Sequence, residues 1–90
     1  MLLAVPTISR FYGIVIRMYF SDHPPPHFHA FYAGEEAVVV IATGEILRGA
    51  LPERALRMVR EWTTVHREEL SANWQRLQEP GQPLPIDPLP

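Results

Sequence analysis

The sequence predicts an α+β fold: a small antiparallel sheet followed by helix. Three observations carry this. From residue 6 to 50 apolar and polar residues alternate in short runs separated by turn residues. At Leu51-Pro52-Glu53 the apolar period changes from two to between three and four. The connections between the strand-like runs are too short for crossovers, so neighbours pair antiparallel. The expected architecture is a meander of about five strands (6–50), one or two C-terminal helices packed on the sheet (52–79) and a Pro-rich arm (80–90), all in one domain spanning 1–90.

Thr7–Phe11 and Ile14–Phe20 flank Tyr12-Gly13, a tight-turn pair. Within the second run Ile14, Ile16, Met18 and Phe20 share one face, the core face, and Arg17 and Tyr19 the other. Phe28–Ala33 is the third strand, and Gly34-Glu35 the turn after it. Ala37–Ile41 is almost continuously β-branched, as a central strand would be. Thr43-Gly44 leads into Glu45–Ala50. Pro52 and Glu53 then form a helix start signal, and Leu56, Val59, Thr63, His66, Leu70, Trp74 and Leu77 recur at helical spacing. One helix over 52–79 would be about 42 Å long, overhanging a globule of this size, whose radius of gyration is about 12 Å. A break between Thr63 and Ser71 is therefore expected, with the first helix on the sheet. Pro80-Gly81 stops the helix. Five prolines among the last eleven residues make the tail an extended arm, whose Leu84, Ile86 and Leu89 are free to lie across the domain or a partner.

The 90 residues are 47% hydrophobic, ample for one core. The absence of cysteine excludes disulfides and thiolate metal sites. Met1-Leu2-Leu3-Ala4-Val5 is apolar for five residues only and has no basic flank, so no signal peptide is expected. No run reaches the roughly 18–20 apolar residues of a membrane span. A cytoplasmic protein without membrane contact is the expectation. The net charge of −2 argues against a large nucleic-acid footprint. All eight basic residues are arginine, a usage that suits a GC-rich genome and also bidentate pairing with phosphate. Trp62 and Trp74 read as core anchors, and the helix arginines, interleaved with Glu53, Glu61 and Glu68, as a solvated face.

Chemistry concentrates in Asp22-His23-Pro24-Pro25-Pro26-His27-Phe28-His29. His27 and His29 are two apart at a strand start, so their rings share a face, roughly 6.5–7 Å apart at Cα. His23 lies about 12 Å away in polyproline geometry, too far to join them unless the loop bends. The prolines restrict the unfolded loop and hold its flanking side chains in fixed directions. Four readings follow. The segment is a rigid structural corner, a metal site with Asp22 or His66 as third ligand, a metal-free acid/base site, or a protein-recognition loop. With only His27 and His29 well placed, no cofactor and no bound metal are expected. In the acid/base reading His27, His29, Arg17 and Tyr19 are the catalytic residues, and Asp22, His23 and Phe28 belong to the binding loop. His66 reads as a partly buried, hydrogen-bonded histidine.

Pro6-Thr7-Ile8, Phe11–Phe20, the Pro/His segment, Trp62, His66-Arg67-Glu68-Glu69-Leu70 and Asn73-Trp74 together resemble a family of small prokaryotic proteins. It is known only as domain of unknown function number 4160. The resemblance covers about residues 5–86; Met1–Ala4 precede the usual start, as an extension or a choice of start codon. It implies one half of a toxin–antitoxin-like two-gene module, with a small cognate protein encoded nearby as partner, and names no catalytic residues. If the chain is the toxin, metal-free RNA cleavage is the natural chemistry, with histidine moving protons and Arg17 stabilising the phosphate. The alternative is a non-enzymatic adaptor that uses the Pro/His loop, the sheet edge and the C-terminal arm. Strands two and three should pair in the register that sets His29 beside Tyr19 and Phe31 near Arg17, burying Phe28, Ala30 and Tyr32 with Ile16, Met18 and Phe20.

Overall fold

A computed structural model describes residues 5–79 and 81–90. Five strands, β1 (Thr7–Phe11), β2 (Ile14–Arg17), β3 (His27–Tyr32), β4 (Glu35–Val40) and β5 (Ile46–Gly49), precede two helices, α1 (Glu53–Val65) and α2 (Arg67–Gln78). The strands form one antiparallel sheet in chain order, a five-stranded meander. The fold is thus α+β, as the switch of period at Leu51-Pro52 requires.

Turn chemistry sets the hairpins. Tyr12 and Gly13 both take positive φ (50° and 79°) between β1 and β2, as a two-residue primed turn demands. Ala33 and Gly34 do the same between β3 and β4 (49° and 82°). The turn therefore falls one residue earlier than Gly34-Glu35 suggested, and β4 begins at Glu35 rather than Ala37. Gly49 closes the sheet where no side chain fits: its φ is +80°, and an added Cβ would meet the Glu36 carbonyl oxygen at 2.1 Å.

Period-two alternation divides the sheet into two faces. Ile14, Ile16, Phe28, Ala30, Ala37 and Val39 are fully buried on the inner face. Against them α1 sets Ala55, Val59 and Trp62, and α2 sets Leu70, Trp74 and Leu77. Trp62 packs on Phe11 and Phe28, ring centroids 5.3 and 5.8 Å apart. Both tryptophans are core anchors, at 0% and 5% exposure. Leu56, expected on the buried stripe, is only partly buried.

The helix breaks at His66 (φ −112°, ψ 22°), inside the expected window. The hydroxyls of Thr63 and Thr64 donate to the Val59 and Arg60 carbonyls one turn back (2.7 and 3.0 Å), a pattern that bends helices. His66 Nδ1 meets Glu69 Oε1 at 2.6 Å, an exposed pair at the start of α2. Two helices of 13 and 12 residues fit a molecule 35 × 27 × 23 Å, which a single 28-residue helix would not. No helix of the described residues is long and apolar enough to cross a membrane.

The arm lies across its own domain. Ile86 is buried (4% exposed) and its N–H donates to the Ile8 carbonyl at 2.8 Å. Trp62 Nε1 donates to the Asp87 carbonyl, and Asn73 exchanges two hydrogen bonds with the Leu84 backbone (2.8–2.9 Å). Leu89 packs partly against the core, while Leu84 stays exposed. Pro80, read as part of the helix stop, lies outside the described residues, as do Met1–Ala4; α2 ends at Gln78, with Glu79 already extended.

Candidate functional site

The β2–β3 register pairs Val15 with Phe31, Ile16 with Ala30 and Arg17 with His29. This is two residues away from the pairing of His29 with Tyr19 that the sequence suggested. The shift is even, so every side chain keeps its expected face. β2 ends at Arg17 rather than Phe20, and Met18 N–H donates to the Pro6 carbonyl. Arg17, His29, Val38 and Arg48 are successive Cα partners across the outer face.

The loop from Met18 to Pro26 folds back over the end of that row. Ser21 N–H donates to the Leu77 carbonyl of α2, and Ile41 N–H to the Pro26 carbonyl, fixing both ends of the loop to regular structure. The Pro24–Pro25 peptide bond is cis. Asp22 comes to lie over the two strand histidines. His27 Nε2 is 2.8 Å and His29 Nε2 3.5 Å from the same Asp22 Oδ2. Each ring is held from behind as well. His27 Nδ1–H donates to the Pro25 carbonyl, and His29 Nδ1–H to Glu36 Oε2, both at 2.7 Å. A carbonyl and a carboxylate only accept, so both Nδ1 atoms carry the proton.

Both rings are almost fully buried, at 7% and 4% exposure. Tyr19 lies flat on His29 (centroids 4.2 Å apart, planes 2° apart), and Trp74 packs on His27 at 5.2 Å. Burial of the Asp22 carboxyl pushes its pKa up. The His23 N–H bond, the charge of His27 and the hydrogen bonds of both histidines outweigh this and hold it below its ordinary value.

The three groups open onto a cleft of about 530 Å³ that Tyr19, His23, Pro24, Leu47 and Arg48 also line. Of the residues expected to act together, Asp22, His27, His29, Tyr19 and His23 do meet here. Two do not. Arg17 lies with its guanidinium over Phe31 (5.3 Å), its Nε donating to the Thr7 hydroxyl, and is absent from the cleft lining. Phe28, placed in the binding loop, is fully buried on the inner face, because its neighbours His27 and His29 take the outer one. Of the two residues weighed as a third ligand, His66 is engaged with Glu69, while Asp22 lies against both histidines.

Glu36 and Arg48 were not legible as site residues. With the turn at Ala33-Gly34, β3 and β4 pair Phe31 with Glu36 and His29 with Val38, which makes Glu36 the diagonal outer-face neighbour of His29. The two-residue turn was the available signal. Arg48 arrives through a register shift between Val38 and Val39 that no pattern in the sequence announces.

The fold and the cleft define a small α+β domain with a histidine–carboxylate centre on the outer face of its sheet. The chain belongs to the family described as Domain of unknown function (DUF4160), whose model matches residues 13–75 and so includes every side chain of the centre. No curated protein and no solved structure matches the chain.

Proposed function

We propose that this protein is one component, the toxin, of a toxin–antitoxin-like two-gene module, and that it cleaves RNA in the Asp22–His27–His29 cleft. The observation behind this reading is the convergence of two buried imidazole nitrogens and a carboxylate oxygen on one open cleft, with Arg48 in its wall. Such a set either exchanges protons directly or holds a cation that activates water. Arg48 takes the phosphate-pairing role that the sequence alone gave to Arg17, because Arg48 lines the cleft and Arg17 does not. The acidic net charge confines attraction for RNA to this local surface.

A test is expression of the chain alone and together with its neighbouring gene, scoring growth and RNA integrity. Growth arrest with RNA loss, relieved by the neighbour and absent in Arg48→Ala, supports the reading. Normal growth and intact RNA on expression of the chain alone overturn it.

A second reading, a non-enzymatic adaptor, draws on one observation. β5 is an outermost strand of the sheet, and its Leu47 is 52% exposed beside the cleft. An added strand from a partner would pair there. The C-terminal arm is not free for that role, since Ile86 and Asp87 are bonded to their own domain. Binding of a neighbour-encoded protein that is lost in Leu47→Lys, with no RNA cleavage, would favour it.

A further inference from the structure

We infer that Asp22, His27 and His29 are ligands for one divalent first-row transition ion, through Oδ2 of the first and Nε2 of the two histidines. The inference concerns the cleft to which RNA cleavage was assigned, but it stands on donor geometry and not on that assignment.

The argument starts from proton positions. The Pro25 carbonyl and the Glu36 carboxylate fix the ring proton of each histidine on Nδ1. A neutral ring then presents a lone pair at Nε2, and both Nε2 atoms face the same carboxylate oxygen. Three acceptor atoms thus lie within 4.8 Å of one another. The 2.8 Å contact of His27 Nε2 with Asp22 Oδ2 is a hydrogen bond whose proton a bound ion replaces. A single divalent ion satisfies all three acceptors at once.

The surroundings are those a metal centre needs. A ligating histidine donates its other N–H to a carboxylate or a backbone carbonyl, which sets the ring's orientation; here His29 has the first and His27 the second. Stacking by Tyr19 and packing by Trp74 hold the two ring planes. Ligand distances of about 2.0–2.2 Å put neighbouring donors roughly 3–3.5 Å apart, so closing on an ion takes side-chain shifts of about an ångström or less. Two imidazoles and one carboxylate suit Zn²⁺, Co²⁺, Ni²⁺, Fe²⁺ or Mn²⁺ better than Mg²⁺ or Ca²⁺, which prefer oxygen throughout. Three protein ligands on one side, with the cleft on the other, leave coordination positions for water or a substrate oxygen. This departs from the expectation of no metal, which rested on His27 and His29 alone; the fold of the loop adds Asp22.

The test uses the purified full chain, treated with a chelator and titrated with Co²⁺ and Zn²⁺. Binding is followed by visible absorption of the Co²⁺ complex and by calorimetry. The expected result is saturable binding of one ion per chain, with Zn²⁺ displacing Co²⁺. Asp22→Asn and His29→Ala should lose it, and Glu36→Gln should weaken it about 10–100-fold while remaining folded by circular dichroism. His66→Ala should bind as the unaltered chain does. If the histidine variants unfold, Asp22→Asn, almost isosteric, decides alone. No saturable binding at millimolar ion, or binding unchanged in Asp22→Asn and Glu36→Gln, overturns the inference. RNA cleavage by the chelator-treated chain would overturn a need for the ion in that reaction and leave the reaction standing. Tight binding by a chain that leaves growth and RNA untouched does the reverse.

Discussion

The Tyr19 ring lies flat on the His29 imidazole, 4.2 Å away and within 2° of parallel, although the backbone partner of His29 is Arg17. The contact is made across a diagonal, by a residue two positions past the end of its pairing. It covers one face of a ring that another side holds by its Nδ1–H. Tyr19→Ala should therefore destabilise the domain by about 0.5–1.5 kcal/mol beyond the loss of buried area, and Tyr19→Phe should retain that part. Urea denaturation of the two variants makes the comparison; equal losses would show that the stack contributes nothing.

His27 and His29 occupy interior positions. Exposed histidines would tolerate alanine at less than about 1 kcal/mol. Removing His27 takes out a buried ring packed on Trp74 and unpairs the part-buried Pro25 carbonyl and Asp22, so a cost of about 1–3 kcal/mol is expected. His23, exposed at the cleft wall, should cost less than about 0.5 kcal/mol. Thermal unfolding of His27→Ala beside His23→Ala checks the contrast, which fails if the two are equal.

Gly49 supports the site from a distance. Its positive φ and the 2.1 Å approach of a Cβ to the Glu36 carbonyl leave room for glycine alone. Gly49→Ala should cost at least about 1–3 kcal/mol from the backbone conformation, and the clash should move Glu36 away from His29. Imidazole proton resonances of His29 should shift in Gly49→Ala and stay put in Leu84→Ala, an exposed position on the arm.

The arm is part of the core. Ile86→Ala should destabilise by about 2–5 kcal/mol, as for other buried aliphatic truncations. Leu84→Ala, with its side chain exposed, should lie within about 0.5 kcal/mol of the parent chain. Chemical denaturation distinguishes an arm packed into the core from a free one, for which both variants would be neutral.

What the sequence determined by itself is local. Alternation of apolar residues through Ile14–Met18 and Phe28–Tyr32 set which face each side chain takes, because the strand period of two leaves one choice once a hydrophobic face exists. Pro52, the helical spacing after it and the limit on helix length set the two helices and the window of the break. The proximity of His27 and His29 was legible for the same reason, since both sit on one strand. Tertiary structure decided the rest. The two-residue offset of β2 against β3 conserves every face, so the pattern is blind to it. The descent of Asp22 onto both histidines depends on a loop held at Ser21 by α2 and at Pro26 by Ile41, contacts made across 56 and 15 residues of chain. Glu36 reaches His29, and Arg48 the cleft, by cross-strand register. A centre assembled from a loop and neighbouring strands exists only after the sheet has formed, because its members share no spacing in the chain.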